Sequence, residues 1–190
     1  MSNLYKKICE TIKDHQHWIA KDVPGWENMR ADLSNVYFGT MNLYSDDLSG
    51  AILKGAVFSD CICTETNFSN ADLSGACFME AEVDFANFNG ANLTGANFSS
   101  ASLEGATFLD ANLTGANLTK TSIRGTNFTR ANMHKTNLNK AYAGETIIYD
   151  FDKKIDVTFK TDFTEANLDG ADLTDITLHD VDLSVAKNYH

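Results

Sequence analysis

The sequence has few of the residues that interrupt regular structure and few of those that build common chemical sites. One proline among 190 residues excludes a proline-rich linker. No run of residues approaches the ~18 apolar positions of a membrane span, which excludes a transmembrane helix. The sequence has four cysteines, Cys9, Cys61, Cys63 and Cys77. Their spacing does not match that of a zinc site, so we expect no metal site.

Positive charge is also scarce. The 15 Lys and Arg residues face 26 Asp and Glu residues, which gives a formal net charge of −11. Polyanions such as nucleic acids and anionic membranes are therefore disfavoured as direct partners, and a basic partner is favoured. Charged residues also interrupt the first twenty positions, so these contain no continuous apolar run and no signal peptide is predicted. We expect a cytoplasmic protein.

The sequence is rich in a five-residue repeat. The segments Ala31-Asp32-Leu33-Ser34-Asn35 and Ala91-Asn92-Leu93-Thr94-Gly95 illustrate it, with a small first residue, Asp or Asn second, and a large apolar third residue. The period holds from 31 to 145 and returns from 161 to 185. A fixed short period predicts stacked units that share one continuous core.

The pattern A(D/N)LXX resembles the pentapeptide-repeat family. That resemblance implies an all-β fold, a right-handed quadrilateral parallel β-helix with one pentad per side and twenty residues per coil. We name the sides first to fourth after the pentads 31–35, 36–40, 41–45 and 46–50, and count the coils from the same point.

The third residues of the pentads form the predicted core. Sorted by a period of twenty, phenylalanine falls on two opposite sides, and smaller residues fill the sides between them. This alternation of large and small residues favours a square core. The core residues are Phe38, Phe58, Phe78 and Phe98 on the second side, Phe68, Phe88, Phe108 and Phe128 on the fourth, followed there by Ile148, and Leu73, Leu93 and Leu113 on the first.

Residues 1–30 lack the repeat and are predicted to form a helical cap over the first coil. The stripe Leu4, Ile8, Ile12, His15 and Ile19 has helical spacing, and the helix should end before Pro24. Such a cap would cover an open sheet edge. Two histidines that lie two positions apart on a helix, His15 and His17, point in different directions and are expected to be solvated.

The β-helix is predicted over 31–185, with an interruption at about 149–160. Continuing the repeat there would bury Lys153 without a partner, so a loop or short hairpin is expected. Residues 186–190 form a short tail. The last coil is built on leucine, so either this tail folds over it or two rods stack end to end. The second alternative predicts a C-terminal end-to-end homodimer, because two such ends would cover each other.

No pattern indicates catalysis or a cofactor site, so we expect a non-enzymatic rod that binds an unidentified protein partner. An acidic patch with outward apolar residues is one candidate surface, and the interruption is another. An open alternative is that these charges only keep the rod soluble. The candidate residues are Met79, Glu80, Glu82, Asp84, Phe85 and Glu104, and Phe151, Lys153 and Lys154.

The resemblance also implies an alternative function. Within the family, Qnr proteins and a mycobacterial fluoroquinolone-resistance protein are acidic rods that bind DNA gyrase in place of DNA and protect it from quinolones. This chain shares the repeat and the net negative charge. It departs from them in a basic band at 120–140 that interrupts the acidic surface, and it has no terminal dimerisation helix after Val185.

Overall fold

The chain folds into a four-sided solenoid in a computed structural model that describes residues 3–150 and 152–189. Before the hairpin, the second residue of each pentad pairs in parallel with the residue twenty positions further along, as in Asp32 with Ile52 and Tyr37 with Val57. One coil therefore contains four pentads. Successive coils are one strand spacing apart, ~4.8 Å.

The polar residues of the pentad shape its corners. Asp32 Oδ1 accepts hydrogen bonds from the backbone N–H of Ser34 at 3.1 Å and from the Ser34 hydroxyl at 2.7 Å. The same turn recurs along the rod, for example between Asn92 and Thr94. Asp and Asn favour this geometry because their short side chains reach the backbone two residues on. The two Ser34 donors hold the pKa of the Asp32 carboxyl below its usual range.

The core contains two phenylalanine stacks that meet edge to face. On the second side, the Phe58 and Phe78 rings stack with centroids 4.5 Å apart. On the fourth side, Phe88 and Phe108 stack at 4.8 Å, and Phe78 meets Phe88 at 5.7 Å with an interplanar angle of 89°. Eleven of the twelve core residues predicted by the period are buried, and Ile148 is the exception. The eleven are Phe38, Phe58, Phe68, Phe78, Phe88, Phe98, Phe108, Phe128, Leu73, Leu93 and Leu113.

A helix covers the first coil. Helix α1 spans Asn3–Ala20 and is followed by a single 3₁₀ turn at Trp26–Asn28. Its buried residues are Ile8, Ile12 and His15, whereas Leu4 is 55% exposed. Inside the rod, Gly50 N donates to Ser69 O of the next coil. The first coil has no preceding coil whose N–H groups could donate to its own carbonyls. Asp47 O and Ser49 O therefore need other donors.

The prediction that His15 is solvated is wrong. Its side chain is fully buried and stacks on Trp18 with ring centroids 5.1 Å apart. Nε2 lies 3.0 Å from Ser49 O, and Nδ1 accepts the Ala31 N–H at 3.1 Å. The neighbouring Gln16 donates to Asp47 O at 2.8 Å. Helix side chains thus replace the donors that a preceding coil would supply.

The interruption is a β-hairpin that begins earlier than the sequence predicts. Strand β1 is Tyr142–Ala143, β2 is Glu145–Asp150, β3 is Ile155–Lys160 and β4 is Thr177–Leu178. β2 pairs antiparallel with β3, and β1 pairs in parallel with β4. The hairpin therefore occupies 145–160 rather than 149–160. The place predicted for Ile148 in the fourth-side stack is taken by Phe163, 5.2 Å from Phe128.

The coil closes directly beneath the hairpin. Thr161 N donates to Gly144 O at 3.0 Å, and Gly144 N donates to Thr161 Oγ1 at 3.0 Å. The bridge Asn127 to Asp162 then continues the stack, so residues 146–160 are inserted without shifting any side. Gly125 permits the close approach of the hairpin, because a Cβ there would lie 2.6 Å from Thr146 Cγ2.

Removing residues 146–160 and joining Glu145 to Thr161 should leave the rod folded. The excision restores the twenty-residue spacing and removes mostly exposed side chains, so we expect a β-rich circular dichroism spectrum and a cooperative melt. As a control, Phe163→Ala in the full chain should lower the melting temperature more than the excision does, because it leaves a core cavity. An unfolded excision variant would show that the hairpin is part of the folding unit.

The C-terminal residues extend the coil. Lys187 N donates to Ala166 O at 2.8 Å, and Leu168 N donates to Lys187 O at 3.1 Å. On the last coil Leu183 is buried, whereas Leu178 is 37% exposed. The end-to-end dimer stays a prediction. Across residues 3–150 and 152–189, no helix is both long and apolar enough to cross a membrane.

Candidate partner-binding face

The acidic candidate residues lie on and around the third side of the rod. Met79 and Glu80 form the corner between the second and third sides, Glu82 points outward from the middle of the third side, and Asp84 and Phe85 form the next corner. Met79 is 41% exposed and Phe85 is 36% exposed. The fold therefore brings these five residues together on one coil.

Two of the candidate carboxylates already hold neighbouring coils together. Asp84 Oδ1 accepts the Ser102 hydroxyl at 2.5 Å and the Glu104 N–H at 2.9 Å. Glu104 accepts the Ser122 and Thr146 hydroxyls at 3.0 and 3.1 Å, and its carboxylate lies 3.8 Å from Arg124 Nη1. Asp84 and Glu104 are thus bound within the rod, whereas Glu80 and Glu82 are exposed.

Phe85 covers a glycine corner. A Cβ on Gly105 would lie 2.3 Å from Phe85 Cε1, so the ring rests directly over that residue of the next coil. Phe85 itself has a φ of 58°, in the left-handed region that this corner requires. The Phe85 ring is therefore fixed against the backbone of the next coil. The rest of the ring is exposed to solvent at this corner of the third side.

Several residues of this face are not among those predicted from the sequence. Ile62, directly below Glu82 on the third side, is 38% exposed, and Asp60 lies one coil below Glu80 on the same corner. None of the ion pairs in the described residues involves Asp60, Glu80 or Glu82. The period of twenty could have indicated these residues, because positions twenty apart in the sequence form one column on the surface.

The hairpin candidates form a separate site. Lys153 Nζ pairs with Asp150 at 2.8 Å, and Lys154 is exposed at the turn with a φ of 56°. Phe151 lies outside the described residues. The hairpin also exposes Ile147 and Ile155, by 59% and 50%. Its base reaches the third side through the Thr146 contact with Glu104.

A groove of about 500 Å³ lies between α1 and the first coil. Tyr5, Ile12 and Met41 line it together with Asp46, and burial raises the pKa of the Asp46 carboxyl. Among the described residues, no three His, Cys, Asp or Glu side chains could together hold a metal ion.

Comparison with known families matches most of the repeat. A model described as a pentapeptide repeat region matches residues 31–108, and one for pentapeptide repeats in eight copies matches 108–142 and 160–184. The chain belongs to the pentapeptide-repeat family. The gap in the match coincides with the hairpin. Pentapeptide-repeat proteins are generally structural or interaction proteins.

Solved structures of other pentapeptide-repeat proteins are also similar to the chain. A trypsin-treated variant of QnrB1, a plasmid-mediated fluoroquinolone resistance protein, is 17% identical, with 77% of this chain and 81% of that chain covered and a TM-score of 0.41. A pentapeptide repeat protein from the Arabidopsis thaliana thylakoid lumen is 32% identical over 50% of this chain and 69% of that chain, with a TM-score of 0.32.

A third structure is HetL, a pentapeptide repeat protein involved in heterocyst differentiation regulation in Nostoc sp. strain PCC 7120. It is 22% identical, with 90% of this chain and 93% of that chain covered and a TM-score of 0.24. No curated protein matches the sequence. The family assignment of this pentapeptide-repeat chain rests on its repeats, and its candidate site rests on the residues of the third side.

Proposed function

We propose that the chain is a non-enzymatic protein-interaction rod whose third side binds a basic protein surface that carries apolar side chains. The observation that supports this most directly is the unpaired acidic corner of coils two and three. Asp60 and Glu80 are stacked there, beside exposed Ile62 and Met79. We call this surface the acidic face, formed by Asp60, Ile62, Met79, Glu80, Glu82 and Phe85.

Electrostatics favours a basic partner for the acidic face. Successive coils place Asp60 and Glu80 about one strand spacing apart, ~4.8 Å, and like charges at that distance are destabilising in an isolated sheet. A partner's lysine or arginine between them would relieve the repulsion. Complementary charge of this kind mainly sets the choice of partner and the rate of association.

Apolar contacts would supply the rest of the affinity. Ile62, Met79 and Phe85 are each partly exposed around the central Glu82. Apolar residues grouped within a polar surface are typical of interaction sites. Their positions are fixed, because backbone hydrogen bonds such as Phe85 N to Glu104 O at 2.8 Å tie each coil to the next. A rigid surface loses little conformational entropy on binding.

Selection of peptides from a random display library on the immobilised protein tests this function. We expect enrichment of peptides that combine Lys or Arg with apolar residues, and weaker binding at higher salt. Glu80→Gln with Glu82→Gln should weaken a selected peptide about tenfold, since each exposed charge pair contributes ~0.2–1 kcal/mol.

The matched control adds the same two units of charge away from the acidic face. Asn70 and Thr94 are exposed at corners of the fourth and first sides, so Asn70→Lys with Thr94→Lys should leave peptide binding within about twofold of the original. Peptides that are acidic, or that bind the two double variants equally, would contradict the proposal.

DNA gyrase stays the predicted alternative partner. QnrB1, a plasmid-mediated fluoroquinolone resistance protein, is also a pentapeptide-repeat protein, and this shared family motivates the test. Purified gyrase tests it directly: a gyrase-binding rod should inhibit supercoiling or protect the enzyme from a quinolone at micromolar protein. The Glu80→Gln, Glu82→Gln variant shows whether the acidic face is responsible.

A further inference from the structure

One corner of the rod carries a charge pattern that reverses sign along its length. The fifth residues of the second-side pentads form a column in which coils two to six read Asp60, Glu80, Ser100, Lys120 and Lys140. All five are exposed, and all have a φ between 58° and 62°. They therefore project from equivalent backbone positions. We call this set the charge column.

The charge column is not neutralised within the rod. None of the ion pairs formed by residues 3–150 and 152–189 includes Asp60, Glu80, Lys120 or Lys140. Neighbouring members of the same sign are one coil apart, ~4.8 Å. Two like-charged pairs thus face solvent at the two ends of the column, with Ser100 at its centre.

We propose that the acidic face binds a second copy of this chain, arranged antiparallel, so that the charge column of each copy neutralises that of the other. A two-fold axis across the third side at Ser100 places Glu80 opposite Lys120 of the second copy and Asp60 opposite its Lys140. The symmetry repeats each contact, which gives four complementary pairs. The inference rests on the proposed function and names the partner of that surface.

The middle of the third side fits the same axis. Its outward residues in coils two to six are Ile62, Glu82, Ser102, Ser122 and Tyr142. The axis sets Ile62 opposite Tyr142 of the second copy, and these two side chains are 38% and 40% exposed. Apolar side chains therefore lie opposite each other, and Glu82 lies opposite Ser122 of the second copy. A two-fold contact also closes on itself, so no fibre grows through this side.

The contact is expected to be weak. The column from Asp60 to Lys140 covers four coil steps, or roughly 19 Å, and one side of so narrow a rod buries less than the ~1,200 Å² of total surface typical of stable complexes. We therefore expect association at micromolar to millimolar protein. This dimer differs from the predicted end-to-end dimer, which does not involve the third side.

A charge-reversal experiment decides the arrangement. One variant carries Asp60→Lys with Glu80→Lys, and the other carries Lys120→Glu with Lys140→Glu. Sedimentation velocity over a dilution series should show self-association of the original chain, and at least tenfold weaker association of each variant alone. An equimolar mixture of the two variants should associate again, because only the mixed dimer has opposite charges at all four contacts.

Attraction between opposite net charges cannot produce that rescue. Each variant moves the net charge of −11 by four units, so both remain negative. Asn70→Lys, on a corner outside the third side, is the control and should associate like the original chain. Circular dichroism shows whether the variants are folded. A monomeric original chain, variants that each associate normally, or a mixture without rescue would overturn the inference.

The selected peptides separate this inference from the proposed function. If the chain stays monomeric while basic peptides bind the acidic face and are lost in Glu80→Gln, Glu82→Gln, the proposed function stands and the second copy is wrong as its partner. If the original chain associates and the mixture is rescued, unlabelled basic peptide should compete with dimer formation. Failure of both experiments would remove the acidic face as a binding surface.

Discussion

Replacing Phe88 with alanine is expected to lower the free energy of unfolding by about 3–5 kcal/mol. The Phe88 ring is fully buried and stacks on Phe68 and Phe108 at centroid distances of 5.1 and 4.8 Å. It also meets the edges of Phe78 and Phe98, both at 5.7 Å. Alanine would leave a cavity at the crossing of both stacks, where the coils above and below cannot collapse without losing their own contacts.

Thermal unfolding measures this effect. For a chain of this length, 1 kcal/mol corresponds to about 2–4 °C, so the melting temperature should fall by roughly 6–20 °C. Phe88→Leu keeps most of the volume and should cost less than about 1.5 kcal/mol.

Asn89→Ala is the neighbouring control for Phe88→Ala. Asn89 Oδ1 accepts the Leu109 N–H at 2.8 Å, so the substitution should cost only about 0.5–1.5 kcal/mol for the lost hydrogen bond. Equal effects of Phe88→Ala and Asn89→Ala would contradict the assignment of inward and outward positions.

Acid is expected to loosen the N-terminal cap through His15. The neutral ring donates from Nε2 and accepts at Nδ1, and protonation of Nδ1 removes the acceptor for Ala31 N–H. Burial lowers the pKa of His15; the Ser49 carbonyl and Asp47 oppose this shift, and Arg30 adds to it. The stabilising contribution is therefore complete above the unfolded pKa of ~6.5 and is lost as pH falls through the lower folded pKa.

Hydrogen exchange of α1 at about pH 7.5 and about pH 5, corrected for intrinsic exchange rates, checks this prediction. Protection should fall at the lower pH in the original chain. His15→Gln cannot be protonated and should remove most of that pH dependence. His17→Gln should retain it, because His17 lies partly exposed and contacts Asp22 rather than the first coil.

Replacing His15 with a residue whose side chain cannot form hydrogen bonds measures how much the two hydrogen bonds of His15 stabilise the cap. His15→Ala leaves two backbone groups without partners, at about 1–3 kcal/mol each. The effect of protonating His15 is separable from that of protonating Asp32. Hydrogen bonds lower the pKa of Asp32, so its contribution to stability is lost only below the unfolded pKa of ~3.9. A cap equally protected at both pH values in the original chain would show that His15 does not control it.

The repeat period predicts the rod and its core but not its ends or its insertion. Phe128 and Phe163 stack although thirty-five positions separate them, because the coil closes beneath the hairpin. Thr146-Ile147-Ile148-Tyr149-Asp150 has the form of a pentad, so the sequence alone assigns Ile148 to the core. Pairing with residues 155–160 outweighs this local pattern.

The candidate face shows the same limit. A period of twenty places Met79, Glu80 and Glu82 on one coil, and the structure agrees. It does not reveal that Asp84 and Glu104 are occupied by serine hydroxyls and a backbone N–H eighteen to twenty residues away. The burial of His15 is not predictable from the sequence for a related reason. The carbonyl that it binds lacks a partner only because Ser49 lies on the first coil, and a helical stripe carries no information about that edge.

The junction beneath the hairpin suits the rod for carrying foreign sequences. Gly144 and Thr161 are hydrogen-bonded to each other on either side of the insertion, so a segment placed between them starts and finishes at one point on a rigid support. Lengthening such a loop costs only about 0.6 kcal/mol for each doubling. A grafted epitope or enzyme inhibitor loop would therefore be displayed with its ends already closed, and the coils on both sides would keep their register.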